Sequence, residues 1–328
     1  MAAGAKVLCM GNAIVDIIAR VDDAFLAKHD REKGAMNLVD AETSARIYGD
    51  MPPAVERSGG SAGNTAAGIA SFGGSAGYIG KVHDDQLGTV FRHDIQAVGV
   101  QFNTKPATTG APTATSMILV TPDAQRTMNT FLGACTEISE NDVIEAEVAA
   151  ADILYVEGYL WDSAPMKAAV LRAMDLAHKH GTKVSLTLSD SFCVDRFREE
   201  FRDLVDSKVD ILFANEAEIL SLYEVDTFDE ALAELKTHVK LAALTRSEKG
   251  SVLLSADEEV AVAAYPTTVE DTTGAGDLYA AGVLFGLSEG KGLETCGKLG
   301  SLAAAEVISH LGARAEVSLK DLAAEKLG

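Results

Sequence analysis

The 328 residues are 47% hydrophobic and carry a formal net charge of −21, enough chain for one large α/β domain with a sizeable core. That acidity, with a pI of about 4.7, argues against DNA, RNA or an anionic membrane as partner, since each presents a negative face. No stretch approaches about 18 unbroken apolar residues, so no membrane span is expected. The separated Cys9, Cys135, Cys193 and Cys296, with one lysine and no long apolar run before Gly11, read as reduced thiols of a cytoplasmic protein.

Residues 6–10 form a short apolar run ending in Gly11-Asn12 and read as a buried parallel strand. Residues 13–21 continue as a second strand, with Asp16 among Ile14, Val15, Ile17 and Ile18. Polar turns occupy 22–23 and 29–34; 36–39 read as a strand and 41–48 as a short helix. Ser58-Gly59-Gly60-Ser61-Ala62-Gly63-Asn64-Thr65 is a glycine-rich turn leading into a small-residue helix over 66–72. A strand at 77–82 and a loop and helix at 84–98 follow, then strands at 115–120 and 126–131 joined through Pro122-Asp123. Beyond them, strands at 153–156, 184–188, 211–214 and 241–245 alternate with helices at 164–180, 197–205, 215–222 and 228–237. A hairpin at 251–254 and 260–262 and helices at 277–287 and 293–310 come last. This rhythm predicts a three-layer, doubly wound, mostly parallel α/β sheet, with ligands at the carboxyl ends of its strands. Asn12, Ser189, Asn215 and Thr245 all fall there. The β-rich pieces at about 14–50 and 105–131 break the rhythm and are expected to form a small lid within a single domain spanning 1–328.

The chemistry centres on Asp271-Thr272-Thr273-Gly274-Ala275-Gly276-Asp277, which runs straight into an apolar helix. Glycine permits the tight turn, and a helix N-terminus offers unpaired N–H groups and the positive end of the macrodipole. Small residues there leave an anion pocket open to phosphate. A carboxylate at its rim, Asp277, repels phosphate unless it serves to take a proton from an attacking hydroxyl. Standing alone, the same acid suits a helix start that touches nothing.

Other positions carry paired readings. Asp16 is either an ion-paired strand residue or an acceptor for a vicinal diol, with Asn12, Asn64 and the backbone of Gly59, Gly60 and Ser61 around it. Arg126 is either a solvated edge-strand charge or a bidentate phosphate clamp. Asn215 and Glu218 form a capping box in all but the first letter. The histidines form no metal-binding pattern, and neither a Walker A loop nor a dinucleotide fingerprint is present.

The heptapeptide at 271–277 resembles the signature of the ribokinase-like (PfkB-type) carbohydrate kinases, and the likeness extends from Gly11 to about Ala313. The resemblance implies a ribokinase-like fold, with Asp277 as general base and the Gly274, Ala275 and Gly276 amides as anion hole. It puts Arg126 on the transferred phosphate and lines the sugar site with Asn12, Asp16, Gly59, Gly60, Ser61 and Asn64. Asn215 and Glu218 would serve the water shell of Mg²⁺ on ATP. Thr245, Ser247, Gly250 and Thr272 would contact ATP, with Ser247 in place of the family's usual glycine. Asp271 and Thr273, with the turn at 309–313, resemble a monovalent-cation (K⁺) site. Gly11 to Ile17, Gly59 to Thr65, 186–192 and 209–216 look closest to the adenosine kinase branch, where lid residues wall the base; Met36, Phe131, Leu132 and Ala134 are the candidates. Asp190, Glu157 and Trp161 depart from that branch. The expectation is phosphorylation of a nucleoside 5′-hydroxyl, adenosine first, by a monomer or homodimer. The alternatives are a ribose- or fructose-type sugar kinase and a catalytically silent nucleoside sensor; the sensor requires loss of the base or anion hole, and neither is lost.

Overall fold

Val7–Met10 is apolar and buried at every position, the pattern of a strand covered on both faces. In the computed structural model, which describes residues 4–123 and 125–328, it pairs in parallel with Ala76–Ile79 on one side and Ile153–Glu157 on the other. The first three residues and Ala124 lie outside the described residues. The sheet grows outward both ways from Val7–Met10. Gln101–Phe102 closes one arm. The other adds Lys183–Thr187, Ile211–Asn215 and Leu241–Thr245, all parallel, then the antiparallel strands Ser251–Ser255 and Glu259–Val262.

Side chains of successive strand residues face opposite layers. Leu154, Val156 and Leu212 join Val170, Ala173 and Met174 of the helix Ala164–His180 on one side. Tyr155, Phe213 and Ala243 join Ile69, Ala280 and Val283 of the helices Ser61–Ser71 and Ala275–Ser288 on the other. This is the three-layer, doubly wound, ribokinase-like architecture the sequence pattern predicts. The chain reverses direction across the sheet between Val7–Met10 and Ile153–Glu157, and such a switch point opens a crevice beyond the strand ends.

A second sheet has five strands in the order Met36–Leu38, Arg126–Phe131, Ala114–Val120, Ile14–Arg20 and Val55–Gly59. It reaches beyond the segments expected for it. Val55–Gly59 reads V-E-R-S-G, polar and without alternation, because it is an edge strand held by one neighbour. Within 105–113 the only pairing described is an isolated bridge from Ala107 to His83. The helix Asp23–Lys28, lying between the expected turns at 22–23 and 29–34, is capped by Asp22, whose side chain accepts from the Phe25 N–H at 2.9 Å. The helix Ser191–Ser207 begins six residues before its expected start because Asp190 caps it; Phe197, the expected start, is a non-helical kink inside it. Glu145–Ala150 and Leu319–Leu327 are further helices that the sequence reading left unassigned. No helix among the described residues is long and apolar enough to cross a membrane, and the four cysteines are buried and free.

The helix carrying Asp277 is fixed by its contact with Leu293–Val307. A Cβ on Gly282 would lie 2.5 Å from the Gly300 nitrogen and the Leu299 carbonyl carbon, so backbone meets backbone there. Gly282→Ala is therefore expected to cost about 1–3 kcal/mol through overpacking, although glycine to alanine in an open helix gains about 1 kcal/mol. Urea unfolding measures the change; a higher midpoint in the variant would refute the close approach.

Candidate active site

Two glycine-rich turns that are far apart in sequence meet at the switch point. The first does not precede its helix at a distance: the helix begins at Ser61, with Gly60 as N-cap at φ +82°. A Cβ at Gly60 would overlap the Asn12 carbonyl oxygen at 2.1 Å, so glycine is required for this approach. Ser61 and Asn64 thereby stand on the first turn, facing the start of Ala275–Ser288. Ser61 Oγ donates to Asp277 Oδ1 at 2.7 Å and Asn64 Nδ2 to Asp277 Oδ2 at 2.9 Å. Burial pushes the Asp277 carboxyl above its ordinary range, while these two hydrogen bonds and the charge of Arg314 oppose the shift. A carboxylate so held can accept a proton from a hydroxyl brought alongside.

The turn before Asp277 is open on one side. Gly274 takes φ +77°, and its missing Cβ admits Ala313. A Cβ at Gly276 would meet nothing within 4 Å. The N–H groups of Gly276 and Asp277 lie in the first helical turn, where no intrahelical carbonyl accepts them. The Ala275 N–H, expected in the anion hole, instead donates to the Thr272 carbonyl at 3.3 Å. Gly274, Ala275, Gly276 and Asp277 line a cavity of about 820 Å³ that runs along the carboxyl ends of the parallel strands.

Thr245, Ser247, Gly250 and Thr272 line the same cavity, as do Asn215 and Glu218. Ser247 adopts φ +51°, the left-handed conformation that glycine would take, so the turn keeps its shape at a cost in strain. Arg246 beside it donates to Glu216 at 3.0 Å and lies over the Phe228 ring at 3.9 Å. Asn215 and Glu218 form the reciprocal capping box. Burial raises the Glu218 carboxyl to about 7, against hydrogen bonds from Asn215.

Asp16 sits in the second sheet. Gly59 is the cross-strand reason it fits: a Cβ there would lie 2.3 Å from its carboxylate. Among the described residues nothing donates a hydrogen bond to Asp16, and burial raises its carboxyl to about 7, opposed by Arg314 and Arg126. Asn12 turns its N–H to Glu157 Oε1 at 2.8 Å, and Glu157 Oε2 accepts from the Ala62 N–H at 2.9 Å. Glu157 is 1% exposed, and burial raises its carboxyl to about 7. It ties the first strand to the Ser61–Ser71 helix, which explains its departure from the resembled pattern.

Several expected placements are corrected. Asn64 Oδ1 accepts from Arg314 Nε at 2.8 Å and its Nδ2 donates to Asp277, which leaves one amide hydrogen and one oxygen lone pair for a sugar. The Ser61 side chain is engaged with Asp277, and its backbone is the part expected at the sugar. Arg126 forms an ion pair with Asp271, the first residue of the anion turn, leaving one guanidinium nitrogen without a partner. Asp271 also accepts from the Thr273 N–H at 2.9 Å and the Gly312 N–H at 2.8 Å. A guanidinium already neutralises that carboxylate, so no monovalent cation is assigned to Asp271 and Thr273. Ala134 is fully buried, its N–H bonded to the Pro112 carbonyl, and walls nothing. Phe131 falls in the column of Val15 and Thr115, on the face of the sheet away from Asp16.

The register supplies the residues the sequence reading missed. Asp16, Ser116 and Thr130 share one column, and the adjacent column on that face runs Met36, Met128, Ile118, Ile18 and Val55. Met36 and Val55 are 57% and 52% exposed at the two edges of this apolar column, while Ile118 at its centre is buried. Arg314 was also missed; its only sequence signal is a basic residue just past the turn at 309–313 in an acidic chain.

A sequence profile described as pfkB family carbohydrate kinase matches residues 5–320. The chain belongs to this family. It is an ATP-dependent phosphotransferase. The adenosine kinase from Sinorhizobium meliloti superposes with a TM-score of 0.90 at 55% identity, covering 99% of each chain. The 5-dehydro-2-deoxygluconokinase of Bacillus velezensis (strain DSM 23117 / BGSC 10A6 / LMG 26770 / FZB42) is 33% identical over 261 residues, 76% of this chain and 79% of that protein. The Trypanosoma brucei brucei adenosine kinase shares the fold at 24% identity, with a TM-score of 0.81 over 94% of this chain and 100% of the other.

Ser247→Val is expected to lose about 1–2 kcal/mol, because a β-branched residue resists the left-handed turn, and Ser247→Gly to lose none. Urea denaturation of both compares them; equal midpoints would deny the strain.

Proposed function

We propose that this kinase transfers the γ-phosphoryl group of ATP to the 5′-hydroxyl of a nucleoside, with adenosine as the acceptor it fits best. The observation that carries the reading is the meeting of Asp277 with open first-turn amides in the cavity wall, within reach of the charge of Asp16, whose sheet face also carries an apolar strip. The acceptor oxygen attacks the γ-phosphorus as its proton passes to Asp277 Oδ. The bond from that phosphorus to the β–γ bridging oxygen breaks, and ADP leaves with the electron pair. The free N–H groups at Gly276 and Asp277 stabilise charge on the moving group. The turns at Thr245–Gly250 and at Thr272 would hold the nucleotide. Asp16, rich in unused acceptor capacity, would take the ribose hydroxyls, and the Met36–Met128–Ile118 strip would cover the base. The second sheet would act as a lid that keeps water from ATP.

Magnesium would be held through its waters by Glu218 and Asn215. The fit rests on the buried Glu218 carboxyl, pushed to about 7 at the cavity wall, which a neighbouring cation would relieve. Bound there, the ion would neutralise charge on the triphosphate.

A second reading, phosphorylation of a gluconate-type sugar acid, follows from the curated relatives. It requires a free cation for the acceptor carboxylate. Of the two arginines whose charge reaches Asp16, Arg314 is held by Asn64 and Ser58, while Arg126 is paired with Asp271 and keeps one guanidinium nitrogen that such a carboxylate would have to reach. The apolar strip also favours a base.

ADP release measured with adenosine, inosine, ribose, fructose and 5-dehydro-2-deoxygluconate should be fastest with adenosine; preference for the sugar acid would reject the nucleoside reading. Asp277→Ala should lower kcat by at least about 10², and retention of a third of the rate would remove it as base. Asp16→Ala should raise the acceptor KM with a smaller effect on kcat. Because the base works ionised and burial raises its pKa, kcat/KM should fall as pH drops, beginning above the range of an ordinary aspartate.

A further inference from the structure

We propose that Arg314 is a positioning residue for Asp277: it fixes which end of the Asn64 amide meets the carboxylate and sets a positive charge near it. The inference rests on Asp277 being the base.

A primary amide has two chemically opposite ends of nearly equal size, so its neighbours decide its orientation. Arg314 has only donors. Its Nε lies 2.8 Å from the Asn64 amide, so the oxygen must face it. The NH₂ end is then left to donate to Asp277 Oδ2 at 2.9 Å. If the amide turned over, its oxygen would oppose the carboxylate. The guanidinium is fixed in turn: one terminal nitrogen donates to the Ser58 carbonyl at 2.7 Å and to Ser58 Oγ at 3.0 Å. Ser58 gives its N–H to Asp94 at 2.8 Å. The chain Asp94–Ser58–Arg314–Asn64–Asp277 thus links Gln86–Ala97, the edge strand Val55–Gly59, Ser61–Ser71 and Ala275–Ser288.

The electrostatic part follows from what else surrounds the carboxylate. Ser61 and Asn64 face it from Ser61–Ser71, Asp16 from Ile14–Arg20, Tyr155 and Glu157 from Ile153–Glu157, and Tyr159 from the turn beyond. Asp16 and Glu157 are acids whose ionisation would discourage a third negative charge. Among the described residues, Arg314 is the cation whose charge opposes them at Asp277. An opposite charge within about 4–6 Å typically lowers a carboxyl pKa by one unit or more. Removing the guanidinium should move the base toward its neutral form.

The test begins with wild-type turnover on the acceptor panel and with Asp277→Ala; absence of turnover, or an unimpaired Asp277→Ala, rejects the base reading itself. With that reading intact, Arg314→Met should lower kcat about 10- to 100-fold, as a misplaced reacting group does, with the KM for ATP within about threefold. Its acid limb in kcat/KM should move up by about one pH unit. Arg314→Lys, which keeps the charge but not the fork, should restore the limb more than the rate. Arg314→Ala should regain rate when guanidinium at tens of millimolar is added, at concentrations well below those that unfold proteins. An unshifted limb together with no rescue overturns the proposal. A readout free of activity guards against a variant that folds poorly: the unfolding energies of Arg314→Met, Asp277→Asn and the double variant should be non-additive. Additive values would place Arg314 outside the Asp277 network and reject it.

Discussion

A carboxylate in a low-dielectric wall must be met by donors or lose its charge. The placement of the Asp277 carboxylate against Ser61 and Asn64 is the constraint on which the site depends. Two helices must bring their first turns together, and each does so by giving up side chains. Gly60 lets the Ser61–Ser71 helix start against Asn12, and Gly274 lets the other start against Ala313. Gly68 extends the same logic along the contact, since a Cβ there would lie 2.6 Å from the Ala281 methyl. The abundant glycine and alanine of these helices is the cost of bringing polar termini into register across a nonpolar interface.

The acids around the crevice share one physical state. Asp16, Glu157 and Glu218 are each raised to about 7 by burial, but for different ends. Glu157 is satisfied by two backbone N–H groups and acts as a tie between the central strand and a helix. Glu218 closes a capping box at the cavity wall. Among the described residues Asp16 has no hydrogen-bond donor and so keeps its acceptor capacity for something that arrives. A protein of net charge −21 can present a phosphate-handling cavity because backbone amides and a few buried arginines, not its overall charge, set the local potential.

The second sheet turns a fold into a specific cleft. Its strand register puts Asp16 and a methionine–isoleucine strip on one face, while Thr115 and Phe131 point to the other. The ion pair between Arg126 and Asp271 links this sheet to the residue that begins the anion turn.

The sequence by itself determined the body of the fold and the kinase family to which it belongs. Strand and helix periodicity are local, and Leu241–Thr245, Arg126–Phe131 and Ala164–His180 appear with the ends their residues predict. Edge strands such as Val55–Gly59 carry no such pattern, because one partner and one covered face impose little on composition. Tertiary structure alone decided who meets whom. Asp277 takes Ser61 from 216 residues away, and Arg314 takes Asn64 from 250. Phe131 was expected at the cleft through the resemblance to the adenosine kinase branch and falls on the other face by register, since a strand residue's face follows from pairing. Hydrogen-bond partners across such separations are set by packing, which no spacing in the chain records.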